Sequence, residues 1–227
     1  WNVPALADRY RVLRYDKRGH GGSQTTPGPY SISQLADDAV ALLDALNIQK
    51  VHFIGLSMGG MIGQQMGARY PERVYSLSLC DTASEMPPRN LWEERFDIAR
   101  KDGIPGLVDG TIKRWFTAPF IGRAPQDIEK VRQMILGTGV EGYIGCASAV
   151  RDMAQTTMLL KIKAPTLVLT GRQDPACTVD QAIVLNRMID GSKMVILEDA
   201  AHLSNIEQPE VFNRTVREFI DTVDNTL

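Results

Sequence analysis

The chain has 227 residues, of which 44% are hydrophobic and 23% are charged, and its formal net charge at pH 7 is −2. These values are ordinary for a soluble globular protein, and the length suffices for one α/β domain with a full core. The small net charge and the lack of a Lys/Arg cluster argue against a nucleic-acid or anionic-membrane partner.

The sequence carries no pattern that predicts export or membrane insertion. No apolar run approaches the roughly 18 residues that a membrane span needs, and the chain does not open on a signal-peptide pattern. Its three cysteines, Cys80, Cys146 and Cys177, are odd in number and far apart. Such usage is typical of reduced thiols rather than of a disulfide framework or a metal site, so we expect a cytoplasmic protein.

The first predicted elements are a short strand and an amphipathic helix. Residues 11–15 form the strand, which ends in a polar loop where Asp16 is expected to bind backbone N–H groups of its own turn. Ser31 and Gln34 then form a capping box. The apolar positions that recur after it with helical spacing are Ile32, Leu35, Ala39, Leu42, Leu43 and Leu46.

The most informative segment is residues 51–60, where an apolar strand runs into Gly-x-Ser-x-Gly and then into a helix. In that setting Ser57 lies on a sharp, strained turn that exposes its hydroxyl. We expect a Cβ at Gly55 or Gly59 to collide where strand and helix cross. The N–H of Met58, which opens the helix, can point at a developing oxyanion. A flexible Gly-Ser loop is the alternative, but an apolar strand rarely runs into one.

Strands and helices alternate through the rest of the chain outside one central block. They are predicted at residues 74–79 (strand), 166–170 (strand), 179–188 (helix), 194–197 (strand) and from Pro209 onward (helix). This alternation is typical of the α/β class, in which a mostly parallel sheet is flanked by helices on both faces.

The central block, residues 83–160, contains amphipathic helices and no convincing strand. Its helices are predicted at residues 91–101, 105–115, 125–136 and 143–153. Inserted between two strands, such a block would cover the carboxyl edge of the sheet, where ligands of open α/β sheets bind. We therefore predict a core made of residues 1–82 and 161–227, with a helical cap made of residues 83–160.

A serine hydroxyl needs a base, and histidine is the usual one. His52 lies within the strand before Ser57 and is expected to be a packed core residue. His20 lies in a glycine-rich loop that could reach the mouth of the pocket. His202 follows a predicted strand, so its position favours the role of base over that of a solvated loop residue.

The acid that orients the imidazole must also follow a strand. Asp174 and Asp81 both do, and both give the chain order serine, acid, histidine that is typical of one hydrolase architecture. Chain order therefore does not separate them. The loop that contains Asp174, Gly-Arg-Gln-Asp-Pro, favours Asp174, whereas Asp16 is more simply a structural residue.

Several runs of sequence carry a resemblance to a known family. Residues 14–21, 55–61, 162–167 and 201–208 are similar to runs found in many hydrolases, and residues 114–117, 141–146 and 149–153 to runs of a narrower group. On these runs the chain resembles the α/β-hydrolases, and most closely the 3-oxoadipate enol-lactonase family. The similarity covers nearly the whole chain and implies the α/β-hydrolase fold with an inserted helical cap.

The resemblance also implies an activity. Ser57, activated by His202 and Asp174, would open the lactone ester of 3-oxoadipate enol-lactone through an acyl-enzyme, a step of the β-ketoadipate pathway of aromatic breakdown. Met58 would donate to the oxyanion, and no metal or organic cofactor would be needed. The partner is thus a small anionic lactone, and neither nucleic acid nor a membrane.

The free carboxylate of that substrate predicts a cation in the pocket. Arg114, with Trp115 beside it in the cap, is our first candidate, and Arg151 is the second. A solvated helix arginine is an equally good interpretation of Arg114.

Members of the family begin with further strands, and the loop after one of them gives a second oxyanion N–H. The resemblance therefore implies that this chain, which begins at Trp1, is part of a longer parent. Two other functions stay open. One is another Ser-His-Asp hydrolase, such as a carboxylesterase, a perhydrolase or a carbon–carbon bond hydrolase, and the other is a non-catalytic ligand receptor.

Overall fold

A computed structural model describes residues 1–86 and 88–226. This part of the chain contains one four-stranded sheet, formed by β1 (Val51–Leu56), β2 (Val74–Cys80), β3 (Thr166–Gly171) and β4 (Lys193–Leu197). The strands lie in the order β1-β2-β3-β4, and each pairs in parallel with its neighbour. Parallel neighbours require long crossover connections, so the sheet confirms the class predicted from the alternation of elements.

The helices of the described ranges are α1 (Ile32–Ala45), α2 (Met58–Arg69), α3 (Arg89–Asp102), α4 (Pro105–Trp115), α5 (Ala118–Arg123), α6 (Pro125–Leu136), α7 (Val140–Asp152), α8 (Val179–Met188), α9 (Ser204–Glu207) and α10 (Pro209–Asp224). Three short 3-10 helices are found at Val3–Ala5, Pro71–Arg73 and Thr156–Lys161. None of these helices is long and apolar enough to cross a lipid bilayer.

Helices cover both faces of the sheet. On one face, α1, α2 and α8 pack against strand residues that include Leu77 and Val168. On the other face, α10 buries the apolar stripe that contains Phe212 and Val216 against Leu167 and its neighbours. Two hydrophobic clusters on opposite faces bury the sheet between them, as the α/β class requires.

Most of the helix boundaries predicted from local sequence signals agree with the structure to within a few residues. The Ser31 hydroxyl caps α1 by accepting the N–H of Gln34 at 3.1 Å, which is one half of the predicted capping box. α4, α6 and α8 have the predicted bounds, while α3 and α7 begin a few residues earlier than predicted. α5 was not predicted, because it has only six residues and hence too few turns for a periodic pattern.

The strand predicted at residues 11–15 is wrong, and the apolar strand β1 is only partly buried. Residues 11–15 form no secondary structure, and Leu13 and Tyr15 are exposed. β1 pairs with β2 alone among the described strands, and its Ile54 is 39% exposed. A strand exists only through its pairing partners, so an apolar run without a partner on one side remains irregular or half-buried.

The helices α3–α7 all lie between β2 and β3 in the sequence. Within this block the chain also forms one isolated antiparallel bridge, between Glu85 and Ala154. The division of the chain into a core and a cap of residues 83–160 stays a prediction.

Candidate active site

Ser57 occupies a strained turn between β1 and α2. Its backbone has φ 54° and ψ −119°, a conformation that a non-glycine residue adopts only when its surroundings enforce it. Ser57 N–H donates to the Cys80 carbonyl at 2.9 Å, and the Thr82 hydroxyl donates to the Ser57 carbonyl at 2.7 Å. The end of β2 therefore holds the turn in place from both sides.

The glycines around Ser57 differ in whether the fold has room for a Cβ atom. A Cβ at Gly55 would overlap the Gly59 carbonyl, as predicted. The same prediction for Gly59 is wrong, because a Cβ there would meet nothing within 4 Å. The second steric position is Gly60, whose Cβ would lie 2.6 Å from Thr82 Cβ. The face of α2 that meets the strands thus includes Gly60, while Gly59 points into open space.

Three predicted residues form one hydrogen-bonded chain. His202 Nε2 lies 2.9 Å from Ser57 Oγ, and His202 Nδ1 lies 2.8 Å from Asp174 Oδ2. The second carboxylate oxygen, Asp174 Oδ1, accepts the N–H groups of Ala176 at 2.7 Å and Cys177 at 2.9 Å. With Nδ1–H donating to Asp174, Nε2 is free to accept the serine proton.

Topology explains why these residues meet. Ser57, Asp174 and His202 follow β1, β3 and β4, and in a parallel sheet these carboxyl ends lie along one edge. His202 and Asp174 are each 4% exposed, so solvent competes little for their hydrogen bonds. Ser57 itself remains partly exposed, as a group that meets a substrate must be.

Asp81, the alternative acid, lies elsewhere in the hydrogen-bond network. Its carboxylate accepts the Gly171 N–H at 2.8 Å and the Ser204 hydroxyl at 2.5 Å. Asp81 is fully buried, and that burial raises its pKa well above the usual range. Asp81 thus joins the ends of β2 and β3 to the segment after His202. Of the two candidate acids, Asp174 is the one that contacts the imidazole.

The other two histidines contact groups other than Ser57. The ring of His52 lies 2.8 Å from the Ser76 hydroxyl and 2.9 Å from Asp224, between β1 and the end of α10. His20 Nδ1 lies 3.6 Å from the Cys146 thiol. Burial, assisted by the nearby charge of Lys17, lowers the pKa of His20 from 6.5 to about 4, so His20 is neutral at pH 7.

Asp16 has the predicted structural role. Its Oδ2 accepts the Gly22 N–H at 2.9 Å within its own loop.

Met58 is the first residue of α2. The first N–H groups of a helix have no partner inside the helix, and they lie at its positive end. The Met58 N–H can therefore donate a hydrogen bond to an anionic oxygen that forms beside Ser57. Its role as an oxyanion donor stays a prediction.

The two predicted binding residues, Arg114 and Trp115, lie near the imidazole loop, the segment 200–203 that contains His202. The ring centroids of Trp115 and His202 are 6.2 Å apart, and the Trp115 carbonyl accepts the Leu203 N–H at 3.0 Å. Arg114 lines a cavity of about 250 Å³ together with Gln173 and Ala201. Trp115 thus lies beside the loop that contains His202, and Arg114 lines a cavity whose wall includes Ala201, the residue before His202. Their roles in substrate binding stay a prediction.

Arg114 and Arg151 differ in their partners. Arg151 is paired with Glu93 and with Asp152. Arg114 is half-buried and forms no salt bridge with any residue in the described ranges. Its burial and the like charge of Arg95 lower its pKa, so an anion there would be stabilised. Arg114 is therefore the better of the two candidates for binding a carboxylate.

One group of potential metal ligands occurs in the part of the chain that the structure describes, and it overlaps the triad. Asp174, Cys177 and His202 present ligand atoms within 4.8 Å of one another. Both ring nitrogens of His202 are already hydrogen-bonded. Burial raises the pKa of the Cys177 thiol well above its usual range, whereas metals bind the thiolate. The donors therefore fit proton transfer better than metal binding.

Sequence reasoning missed Glu207, a buried acid in α9 that is 3% exposed. Its carboxylate accepts hydrogen bonds from Ala201, next to His202, and from Thr117, at the start of α5. No local pattern could have indicated this role, because Thr117 and Glu207 are 90 residues apart.

Known proteins are similar to this chain in sequence and in fold. A family model described as the alpha/beta hydrolase fold matches residues 2–209. The chain is 39% identical over 214 residues to 3-oxoadipate enol-lactonase 2 of Acinetobacter baylyi, which covers 94% of this chain and 80% of that protein.

Two solved structures are similar as well. The enol-lactonase of Burkholderia xenovorans LB400 gives a TM-score of 0.95 at 39% identity, covering 97% of this chain and 84% of that one. A thermophilic esterase of Thermogutta terrifontis, solved with malate bound, gives a TM-score of 0.91 at 32% identity, covering 97% and 83%.

Proposed function

The chain belongs to the α/β-hydrolase family, and from that premise we propose that it hydrolyses the lactone ester of 3-oxoadipate enol-lactone to give 3-oxoadipate. The observation that carries the proposal is the hydrogen-bonded series Ser57, His202 and Asp174 at the carboxyl edge of the sheet. The similarity to 3-oxoadipate enol-lactonase 2 of Acinetobacter baylyi supports the choice of substrate.

In the acylation step, Ser57 Oγ attacks the lactone carbonyl carbon while His202 Nε2 takes the hydroxyl proton. Asp174 stabilises the resulting imidazolium through Nδ1–H. The carbonyl oxygen becomes an oxyanion beside the Met58 N–H, and each such donor contributes about 10²–10³-fold to turnover. The bond from the carbonyl carbon to the ring oxygen then breaks, and His202 returns the proton to the enol oxygen.

In the second step, water hydrolyses the acyl-enzyme. His202 takes a proton from the water as its oxygen attacks the ester carbon, and the same proton then returns to Ser57 Oγ. The single product carries a new carboxylic acid, which ionises by releasing its proton to solvent, and an enol, which tautomerises to the ketone. In both steps the proton moves between the nucleophile, His202 and the leaving oxygen, so His202 is the general base and the general acid.

The substrate carries a free carboxylate, and we assign its recognition to Arg114. Arg114 is half-buried in the wall of a cavity that Ala201, next to His202, also lines. A guanidinium can bind a carboxylate through two parallel hydrogen bonds. Trp115 lies on the same segment, with its ring near that of His202, and provides an apolar surface for the lactone ring.

The first test is turnover of the enol-lactone, followed as loss of its ultraviolet absorbance. We expect Ser57→Ala to lower kcat on the order of 10⁶-fold, because no other group can form the acyl-enzyme. The matched control is Ser33→Ala, which removes a serine hydroxyl on α1, away from the triad. Equal rates for Ser57→Ala and the wild type would refute the proposed reaction.

A second candidate is a general carboxylesterase, which the similarity to the Thermogutta terrifontis esterase favours. A panel of neutral esters and anionic lactones separates the two functions. If the lactonase proposal holds, the wild type prefers the anionic lactone, and Arg114→Met raises KM for that substrate alone. A preference for neutral esters that survives Arg114→Met would instead support the carboxylesterase.

A further inference from the structure

The buried side chain of Glu207 has donors on two sides. Glu207 Oε1 accepts the Ala201 N–H at 2.7 Å, and Oε2 accepts the Thr117 hydroxyl at 2.6 Å. The Thr117 N–H also lies within hydrogen-bonding distance of both oxygens, at 3.3 and 3.2 Å. No arginine, lysine or histidine in the described parts of the chain forms a salt bridge with Glu207. Two chain segments, rather than a cation, therefore satisfy this carboxylate.

The two segments carry different parts of the site. Ala201 directly precedes His202. Thr117 follows Arg114 and Trp115 by two to three residues and caps α5 by accepting the Phe120 N–H at 3.3 Å. A second link runs parallel to the first, since the Leu203 N–H donates to the Trp115 carbonyl at 3.0 Å. The imidazole loop and residues 114–117 are thus joined on both sides of His202.

We propose that Glu207 is a positioning residue that holds the substrate-binding segment 114–117 at a fixed distance from the catalytic imidazole. The inference rests on the proposed ester hydrolysis and extends it. A buried carboxylate with two sets of donors costs free energy to desolvate, and an apolar side chain of the same size would fill the space. What Glu207 contributes is a fixed distance between the two segments. That distance matters because a displacement of about 1 Å between substrate and catalytic group costs roughly 10²-fold in rate.

The test compares the wild type with Glu207→Ala, Glu207→Gln and the control Glu210→Ala, which removes an exposed glutamate from the first turn of α10. Reactive serines are first counted with a fluorophosphonate, so that kcat refers to folded sites. We expect Glu207→Ala to lower kcat about 10–100-fold on both 4-nitrophenyl acetate and the enol-lactone. KM should rise for the anionic lactone alone, because only that substrate uses Arg114.

Glu207→Gln is the conservative variant. Its amide oxygen can still accept the Ala201 N–H. Its NH₂ group faces the Thr117 N–H, and two donors cannot bond to each other. We therefore expect a kcat between those of the wild type and Glu207→Ala. Glu210→Ala should match the wild type. If Glu207→Ala has the same kcat per reactive serine and the same KM as the wild type, Glu207 only supports folding and the proposal is wrong.

A milder pair of variants probes the same link from the other side. Thr117→Val removes the hydroxyl and keeps the shape, whereas Thr117→Ser keeps the hydroxyl. We expect the valine variant to show kcat and KM changes in the same direction as Glu207→Ala but smaller, because its N–H still reaches Glu207. The serine variant should stay near the wild type. Equal values for both variants would count against the link.

The outcomes for Glu207 and for the lactonase proposal can be told apart. If the wild type hydrolyses 4-nitrophenyl acetate but not the lactone, the proposed substrate fails and the kcat comparison still tests Glu207. If it turns over neither ester, the rate constant for Ser57 labelling by the fluorophosphonate takes its place, since that step also needs His202. Slower labelling in Glu207→Ala supports the positioning role, and equal labelling rejects it.

Discussion

Asp174 and Asp81 show how neighbouring groups, rather than burial alone, decide the role of a carboxylate. Each follows a strand of the parallel sheet, and each is less than 5% exposed. Asp174 accepts two backbone N–H groups through one oxygen and contacts His202 Nδ1 through the other. Asp81 has two donors but also two acidic neighbours, Asp174 and Glu207, and its burial raises its pKa. Only Asp174 can stabilise an imidazolium.

Replacing each acid by its amide separates these roles. Asp174→Asn should lower kcat about 10⁴-fold, because an amide can impose the wrong tautomer on the imidazole. Asp81→Asn should keep kcat near that of the wild type, since its carbonyl can accept the Gly171 N–H and its NH₂ group can donate to the Ser204 hydroxyl. Steady-state kinetics on 4-nitrophenyl acetate measures both, with each variant serving as the control for the other. A large loss of kcat in Asp81→Asn alone would reverse the assignment.

At the scale of the element, the turn between β1 and α2 depends on which glycine faces the strand. Gly55 lies at the crossing itself, where a Cβ would overlap the backbone of the first turn of α2, whereas Gly59 has open space around its Cα. Backbone atoms cannot yield as a flexible side chain can. The pentapeptide pattern alone treats the two glycines as equivalent, and the packing shows that they are not.

This difference predicts opposite effects for two alanine substitutions. Gly55→Ala should force β1 and α2 apart, lower Tm and reduce kcat by at least about 10²-fold through displacement of Ser57. Gly59→Ala should keep kcat and raise stability by up to about 1 kcal/mol, because alanine favours a helix more than glycine does. Thermal unfolding and ester hydrolysis measure the two effects. Similar losses in both variants would contradict the steric argument.

At the scale of the whole molecule, sequence reasoning succeeded where the deciding interactions are local. The periodic helices of residues 105–115, 125–136 and 179–188 match α4, α6 and α8, since a helix satisfies its own backbone. His202 and Asp174 follow strands, which places both at one edge of the sheet, and the loop motif rather than chain order favoured Asp174 over Asp81. The strand at residues 11–15 failed because pairing depends on a partner that local sequence cannot specify.

Contacts between distant residues were beyond sequence reasoning for the same reason. Thr117 and Glu207 meet across 90 residues, and Ser204 and Asp81 meet across 123. Neither pair produces a periodic or local signal, although both support the loop of His202. The same limit applies to His20, whose partner Cys146 lies 126 residues away in α7.

His20 links the stability of the whole chain to pH. Burial and the charge of Lys17 lower its pKa in the folded state from 6.5 to about 4. Between these two pH values the unfolded chain binds a proton that the folded chain does not, so the free energy of unfolding rises with pH. The stability that neutral His20 contributes is fully present above pH 6.5 and is lost as the pH falls towards 4.

His20→Gln removes this titration and should flatten the dependence of stability on pH. We expect the difference in the free energy of unfolding between pH 7.5 and pH 4.5 to shrink by at most about 3 kcal/mol, since one pKa unit corresponds to about 1.4 kcal/mol and His20 keeps some contact with solvent. Urea titrations followed by tryptophan fluorescence give both values, with His52→Gln as the histidine control. Acidic groups contribute equally to the wild type and to His20→Gln. If the two curves of unfolding free energy against pH run parallel, His20 is protonated in the folded chain at pH 4.5 and the prediction is wrong.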